Sequence, residues 1–283
     1  MMSTRAIRFC VIRAAFVSLL LLVLHQFRPQ SLTMPGAPSV CPLHSQSALS
    51  WVKHHLLPPS SREYNIPNLT YYAIPAGEAQ KQLPDGYLDH SQYGQSTHLA
   101  EKYFKHKRNG RFLEIGAFDG YTYSNSLMFE RYYNWTGVLI EPSMSAFTKL
   151  VALNRKAYAI NACVGYQFDP TPITNSEVYD ASTMCTSVPL SAIIETLGWK
   201  EWDYFSIDVD GREAALLMSI PWHAIKVDYI QIECNECDKA GEAGTDESIK
   251  TQRYFLKQYM SVIGYTEVEF RLLDFYYRRN GLF

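Results

Sequence analysis

The hydrophobic pattern divides the chain into three regions. Residues 7–27 are almost continuously apolar, and the densest run is Ala14 to Leu24. Residues 28–85 carry no sustained period and are punctuated by proline, as in "RPQSLTMPGAPSVCP". One short helix, "ALSWVKHHLL", is predicted inside this stretch and stopped by Pro58 and Pro59. From residue 86 to residue 283, short apolar runs alternate with amphipathic ones. This last region reads as the folded domain, and residues 28–85 read as a stem.

Within the domain the predicted elements alternate. "THLAEKYFKHK" reads as a helix ended by Asn109-Gly110. "RFLEIGA" is a strand, "TYSNSLMFERYY" a helix, "TGVLIEP" a strand, and "SAFTKLVALN" a helix capped by Ser143 or Ser145. "AYAINACVG" is a third strand, followed by a polar excursion from Tyr166 to Cys185. Then come helix "PLSAIIETLG", strand "WDYFSIDVDG", helix "REAALLMSI", strand "KVDYIQIEC" and the long helix "TDESIKTQRYFLKQYMSVIG". "YTEVEFRLL" and "DFYYRRN" close the chain as a hairpin. Strands and helices alternating at this spacing predict an α/β domain with a mostly parallel, doubly wound sheet. Ligands of such sheets bind beyond the carboxyl ends of the strands. Glu114 to Gly120, Glu141, Asp208 to Gly211 and Glu233 to Cys237 all fall there, whereas His223 falls at the opposite end.

Composition adds limits. The chain has 283 residues, 47% hydrophobic, with a formal net charge of -2, so nothing draws it toward nucleic acid. The apolar N-terminal run matters more. Ala14 to Leu24 alone is too short to span about 30 Å of hydrocarbon. Extended to residues 7–27 it spans, with Arg8 and Arg13 snorkelling toward the headgroups. A cleaved signal peptide is the competing reading, although "HQFRPQ" replaces the expected small-residue cleavage site. Arg5, Arg8 and Arg13 precede or enter the run, so residues 1–6 are expected to be a cytoplasmic tail and the domain lumenal. The sequons Asn68-Leu69-Thr70 and Asn134-Trp135-Thr136 agree with that side of the membrane. Cys41, Cys163, Cys185, Cys234 and Cys237 would then lie in an oxidising compartment, and Cys163 and Cys185 could bridge the excursion. Cys234-x-x-Cys237 reads as a disulfide or inert thiols before it reads as a metal site, since no second ligand pair stands nearby.

The chemistry concentrates in "EIGAFDG". Its residues Glu114, Gly116, Asp119 and Gly120 do not make the three-glycine turn that cradles a pyrophosphate, and an acid leads it. A cationic nucleoside fits better: S-adenosylmethionine carries an ammonium and a sulfonium but no phosphate. Glu114 would act on the ammonium directly or through water, and both glycines would let the backbone approach. Glu141, one strand later, stands where an acid reaches ribose hydroxyls. The bland alternative is a tight turn with Glu114 in a salt bridge. Asp208 and Asp210 share one side of their strand end and could serve as a general base or orient a nucleophile. Asp210 could equally cap the next helix.

"SQYGQ", "GRFLEIGAFDGYTYSNSLMFE", "WTGVLIEPSMSAFTKLVALNR", "CTSVPLSAIIETLGWKEWDYFSIDVDG" and "VDYIQIE" together resemble the FkbM-type methyltransferase domain. The resemblance is nearest to its animal branch, the Star-like type II membrane proteins. It implies a Rossmann-like class I methyltransferase fold, a seven-stranded sheet with one antiparallel strand, preceded here by one transmembrane helix. It implies S-adenosylmethionine as cofactor, held by Glu114, Gly116, Gly120 and Glu141, with Asp208 and Asp210 at the acceptor. Gly211-Arg212-Glu213 departs from the family's usual Ala-Glu after the glycine. Two functions follow as expectations. One is a secretory-pathway methyltransferase acting on a glycan, a small molecule or a protein. The other is a non-catalytic factor escorting membrane cargo, such as growth-factor precursors, from endoplasmic reticulum to Golgi and endosomes.

Overall fold

A computed structural model describes residues 46–66, 88–165, 168–172, 184–209, 213–234 and 247–282. The predicted membrane span, residues 7–27, lies outside these. Among the described residues no helix is long and apolar enough to cross a membrane. Pro42–Phe283 forms one compact unit.

Ten strands and seven helices carry the described chain. The strands are β1 (Arg111–Ile115), β2 (Thr136–Ile140), β3 (Tyr158–Ile160), β4 (Cys163–Val164), β5 (Asp169–Pro172), β6 (Met184–Val188), β7 (Glu201–Ile207), β8 (Lys226–Glu233), β9 (Tyr265–Arg271) and β10 (Asp274–Arg279). The helices are α1 (Gln46–His55), α2 (Gln95–Leu99, continued by a π-helical turn Ala100–Phe104), α3 (Leu127–Tyr133), α4 (Met144–Ala152), α5 (Leu190–Leu197), α6 (Glu213–Ser219) and α7 (Glu247–Val262). The main sheet has the order β3-β2-β1-β7-β8-β10-β9. β10 runs antiparallel to both β8 and β9, and the other neighbouring pairs are parallel. This is the Rossmann-like, mostly parallel sheet that the alternating pattern predicts, closed by the expected hairpin.

Both faces of the sheet are covered, which is why β1 and β2 are buried from their second residue onward and β2 is apolar over Val138–Ile140. One face sends Leu113, Ile115, Val138, Ile140, Phe205, Ile207, Ile230, Ile232 and Phe275 into a core shared with α1, α5, α6 and α7. The other sends Phe112, Leu139, Tyr204 and Tyr276 against α2, α3 and α4. There Phe104, Phe129, Trp135 and Tyr204 pack edge-to-face and stacked, with centroids 4.7–5.9 Å apart. The excursion after β3 becomes a small sheet of order β4-β6-β5, and the Cys163–Cys185 disulfide expected across it is present.

Two local differences from the sequence reading have clear causes. First, residues 46–66 fall in the stretch read as stem, yet they pack on this domain. Ala48 and Val52 of α1 are fully buried against the core. Leu57 then pairs antiparallel with Ala159 through two backbone hydrogen bonds of 2.8 and 3.0 Å, covering the exposed edge of β3. Second, the helix predicted over "TYSNSLMFERYY" starts only at Leu127. Tyr123 has φ +59°, and Ser124, Asn125 and Ser126 bond a buried carboxylate instead of continuing a helix. A Val52→Asp substitution tests the first point. It should detach α1 and lower stability by roughly 2–4 kcal/mol in urea unfolding, because it places an unpaired charge in the core. An exposed stem would lose less than about 0.5 kcal/mol.

Candidate functional site

The site lies at the carboxyl ends of β1, β2, β7 and β8, around the loop from Gly116 to Ser126. Gly116 has φ +86°, and a Cβ there would stand 1.9 Å from the Asp208 carbonyl oxygen. Gly120 has φ +74°, and its Cβ would meet Leu150 at 2.8 Å. Both glycines are therefore required by the protein's own packing.

The loop's amide groups are turned inward. Gly116 and Ala117 donate to the Ile140 carbonyl, each at 3.0 Å, and Gly120 donates to Ala117. Phe118 donates to Glu141 Oε2 at 2.7 Å. Tyr121 and Thr122 donate to Asp119 Oδ1, and Asn125 donates to Glu114 Oε1. No array of these amides is left to cradle a pyrophosphate. Phe118 and Tyr123 hold left-handed backbones, φ +48° and +59°, which bulky residues rarely adopt unless their surroundings force it.

Glu114 is buried, with 3% of its surface exposed. Its carboxylate accepts from the Asn125 amide at 2.7 Å, Ser124 Oγ at 3.1 Å and Ser126 Oγ. Burial pushes its pKa up, opposed by the charge of Arg155 and by these bonds. Arg155 is the hub behind them. It donates to Glu130 Oε2 at 2.8 Å, to the Gly120 carbonyl, and to Ser124 and Ser126 Oγ. Lys156 N adds a 2.6 Å bond to Glu130 Oε1. Glu114 thus shapes the loop from beneath, as an internal anchor of the turn.

The ligand face itself is acidic. Glu141, at the end of β2, is fully buried and accepts from Phe118 N and Ser143 N, each at 2.7 Å. Asn161 holds the segment in place by donating to the Glu141 and Pro142 carbonyls. Asp208 follows β7 and is half-buried, its amide bonded to the Ile115 carbonyl. Asp274 opens β10, in register with Glu233 of β8. Its carboxylate accepts from Gln231 Nε2 at 2.7 Å and Gln95 Nε2 at 3.0 Å. Burial and the charge of Asp208 push its pKa up to about 6, against those two bonds. Gln95 belongs to "SQYGQ", and this segment crosses the loop. Ser91 bridges to Tyr123, Ser96 Oγ donates to the Asn125 carbonyl, and the His90 ring lies 4.8 Å from Tyr121. Burial holds His90 neutral, its pKa lowered to about 4.

The structure therefore brings Glu114, Gly116, Asp119, Gly120, Glu141 and Asp208 together. Asp119 accepts from Tyr121 N, Thr122 N and Thr122 Oγ1, which closes the turn upon itself. Asp210 and Asn68 lie outside the described residues. Asn134 is exposed at the end of α3. Cys234 is disulfide-bonded, and no metal-binding cluster occurs among the described residues. Sequence reasoning missed Arg155, Gln95, Gln231 and Asp274. Gln95, Gln231 and Arg155 fall inside "SQYGQ", "VDYIQIE" and "WTGVLIEPSMSAFTKLVALNR", segments that carry the family resemblance, but nothing local marks their roles. A basic residue after a helix, like Arg155, normally reads as solvated.

The hub makes a specific prediction. Arg155→Met leaves Glu130 buried and unpaired and should cost about 3–5 kcal/mol in denaturant unfolding. The double variant Arg155→Met with Glu130→Leu should recover part of that loss, because it removes the stranded charge as well.

The model of the methyltransferase FkbM domain matches residues 114–266. No curated protein matches the chain. Among solved structures, it is similar to Aeropyrum pernix fibrillarin, which was solved with natively bound S-adenosyl-L-methionine, at 14% identity over 66% of this chain and 74% of that one, TM-score 0.43. It is similar to the Methanococcus jannaschii fibrillarin pre-rRNA processing protein, at 16% identity over 67% and 77%, TM-score 0.41. It is also similar to an FkbM methyltransferase from Methylobacillus flagellatus KT, at 12% identity and TM-score 0.38, covering 60% of this chain but only 43% of that one. The family match spans more than half of the sequence: this chain belongs to the FkbM methyltransferase domain family, whose methyl donor is S-adenosylmethionine.

Proposed function

We propose that this chain is a membrane-anchored, S-adenosylmethionine-dependent methyltransferase of the secretory pathway, acting on an oxygen or nitrogen nucleophile. One observation carries the reading. The loop that would hold phosphates in a dinucleotide enzyme has its amides bonded inward, while Glu141, Asp208, Glu233 and Asp274 gather at the strand ends. Such a face repels a pyrophosphate and favours a cation. Bound there, the cofactor supplies an electrophilic methyl group on a cationic sulfur. Glu141 would hold the ribose hydroxyls, exchanging its bond to the Phe118 amide for them. Half-buried Asp208 would orient the acceptor and take the proton its oxygen or nitrogen gives up. The covered loop and the segment Asp89–Gln95 would exclude water. The apolar run at residues 7–27, the arginines before it and exposed Asn134 support a lumenal domain.

Titration calorimetry on the full-length protein in detergent tests this reading. S-adenosylmethionine and its demethylated product should both bind. Glu141→Gln, which keeps one acceptor oxygen for the loop, should weaken both about tenfold, or ~1.4 kcal/mol. Absence of heat and of a thermal shift at millimolar ligand would end the proposal.

One observation favours the second reading, a non-catalytic Star-like escort for membrane cargo. Glu114, Asp119, Gly116 and Gly120 are each occupied by the fold itself, so the motif would persist without a ligand. Asp208→Asn separates the two readings: an escort should export cargo from the endoplasmic reticulum at the normal rate with this variant. A methylation-dependent role should lose export while the variant's melting temperature stays unchanged.

A further inference from the structure

The reading above counts Asp274 in the acidic face but gives it no role of its own. Asp274 is 1% exposed and sits at the first position of β10, opposite Glu233 on β8 and Arg271 on β9. Two buried amides are committed to it. Gln231 donates from β8 and Gln95 from α2. Both amides are themselves fixed: Gln231 Oε1 accepts from Tyr204 OH, and Gln95 Oε1 accepts from Tyr93 N at 2.7 Å. Arg271 Nη1 donates to the Tyr93 carbonyl at 3.0 Å, which holds that segment against β9. The carboxylate is thereby kept in one place on the Asp208 side of the sheet.

Resting on the reading that this site holds S-adenosylmethionine, we propose that Asp274 is a specificity-determining residue: its buried charge, placed by Gln95 and Gln231 on the Asp208 side, makes the site prefer a sulfonium over the corresponding neutral thioether. The preference is electrostatic and needs no contact. The donor and its product share the same nucleoside, ammonium and carboxylate, and they differ by one methyl and one positive charge. A fixed negative charge nearby, in a poorly solvated face, favours only the charged one. Product release after transfer would follow from the same term.

The charge is conditional, and the sign follows from its surroundings. Asp208 from β7 raises the proton affinity of Asp274, as does burial; Arg271 from β9 and the amides of Gln231 and Gln95 lower it. Glu233 stands opposite on β8, and Tyr204 and Tyr276 on the same side of the sheet remain neutral phenols. The balance places the titration at about 6. Below that pH Asp274 is protonated and the discrimination is lost; above it the carboxylate is charged and the discrimination is present.

The test is calorimetric and needs no turnover. Affinities of the full-length protein for S-adenosylmethionine and for its demethylated product are measured from pH 5 to pH 7.5, and their ratio is taken. In the wild type the ratio should move toward the sulfonium on the order of fivefold across this range, with a midpoint near 6. In Asp274→Asn the ratio should stay flat. A second variant, Gln95→Met, removes one donor to the carboxylate and should move the midpoint to higher pH, which keeps the idea testable if Asp274→Asn does not fold. A wild-type ratio that does not change with pH, an Asp274→Asn ratio that still does, or an unmoved midpoint in Gln95→Met would overturn the inference while leaving the methyltransferase reading intact. Failure of both ligands to bind at any pH would instead remove that reading, and this inference with it.

Discussion

The ion pair between Arg155 and Glu130 is the contact on which the site depends. Both side chains are almost completely buried, at 2% and 0% exposure, and their nitrogen and oxygen lie 2.8 Å apart. A buried charge pair is tolerable only when its remaining donors and acceptors are satisfied. Here they are satisfied by the ligand loop. Arg155 reaches the Gly120 carbonyl and the Ser124 and Ser126 hydroxyls, and those hydroxyls in turn bond Glu114. The desolvation cost of five buried polar side chains is met by one network, and that network fixes the shape of the turn. Left-handed Phe118 and Tyr123 persist because this network and Glu141 leave them no alternative.

A second consequence is the sign of the ligand face. With Arg155 and the loop amides turned inward, the positive and donor groups serve the interior, and carboxylates line the strand ends. Aspartates and glutamates at the end of a parallel sheet would repel phosphate, but they suit a cationic sulfonium nucleoside. Family membership and electrostatics thus agree on the class of ligand, although they rest on different observations. The polar row Glu114, Ser206, Gln231 and Tyr276 crosses the sheet on one face, in register. Asn125, Tyr204 and Gln95 extend it through hydrogen bonds to Ser206, Gln231 and Asp274. It joins the loop to Asp274 without passing through solvent.

Much of this was legible in the amino-acid order. The apolar run Val138–Ile140 suits a strand buried on both faces, and the helices between the strands favour parallel pairing. The closing hairpin and the gathering of Glu114, Glu141 and Asp208 at one end of the sheet follow from period and the strand-end rule, and the Cys163–Cys185 bridge was one pairing the sequence allowed. Local rules failed where a long-range partner overrode them. "TYSNS" has the composition of a helix start, but Glu114 claims its hydroxyls and an amide, so the helix begins five residues later than expected. "ALSWVKHHLL" looked like an isolated helix among prolines, but its apolar side meets the core, and Leu57 finds the edge of β3 about a hundred residues away.

By itself, then, the sequence determined the sheet, its mostly parallel order and the identity of the acids at its ligand end, because hydrophobic period and chain connectivity are local quantities. Tertiary structure decided what those acids do. Glu114 became an internal anchor, both glycines became packing requirements, and Asp274 became a buried member of the ligand face. Each of these roles rests on a partner distant in sequence: Arg155, Asp208, Leu150, Gln95. A residue's charge and exposure depend on such partners, and no window along the chain contains them.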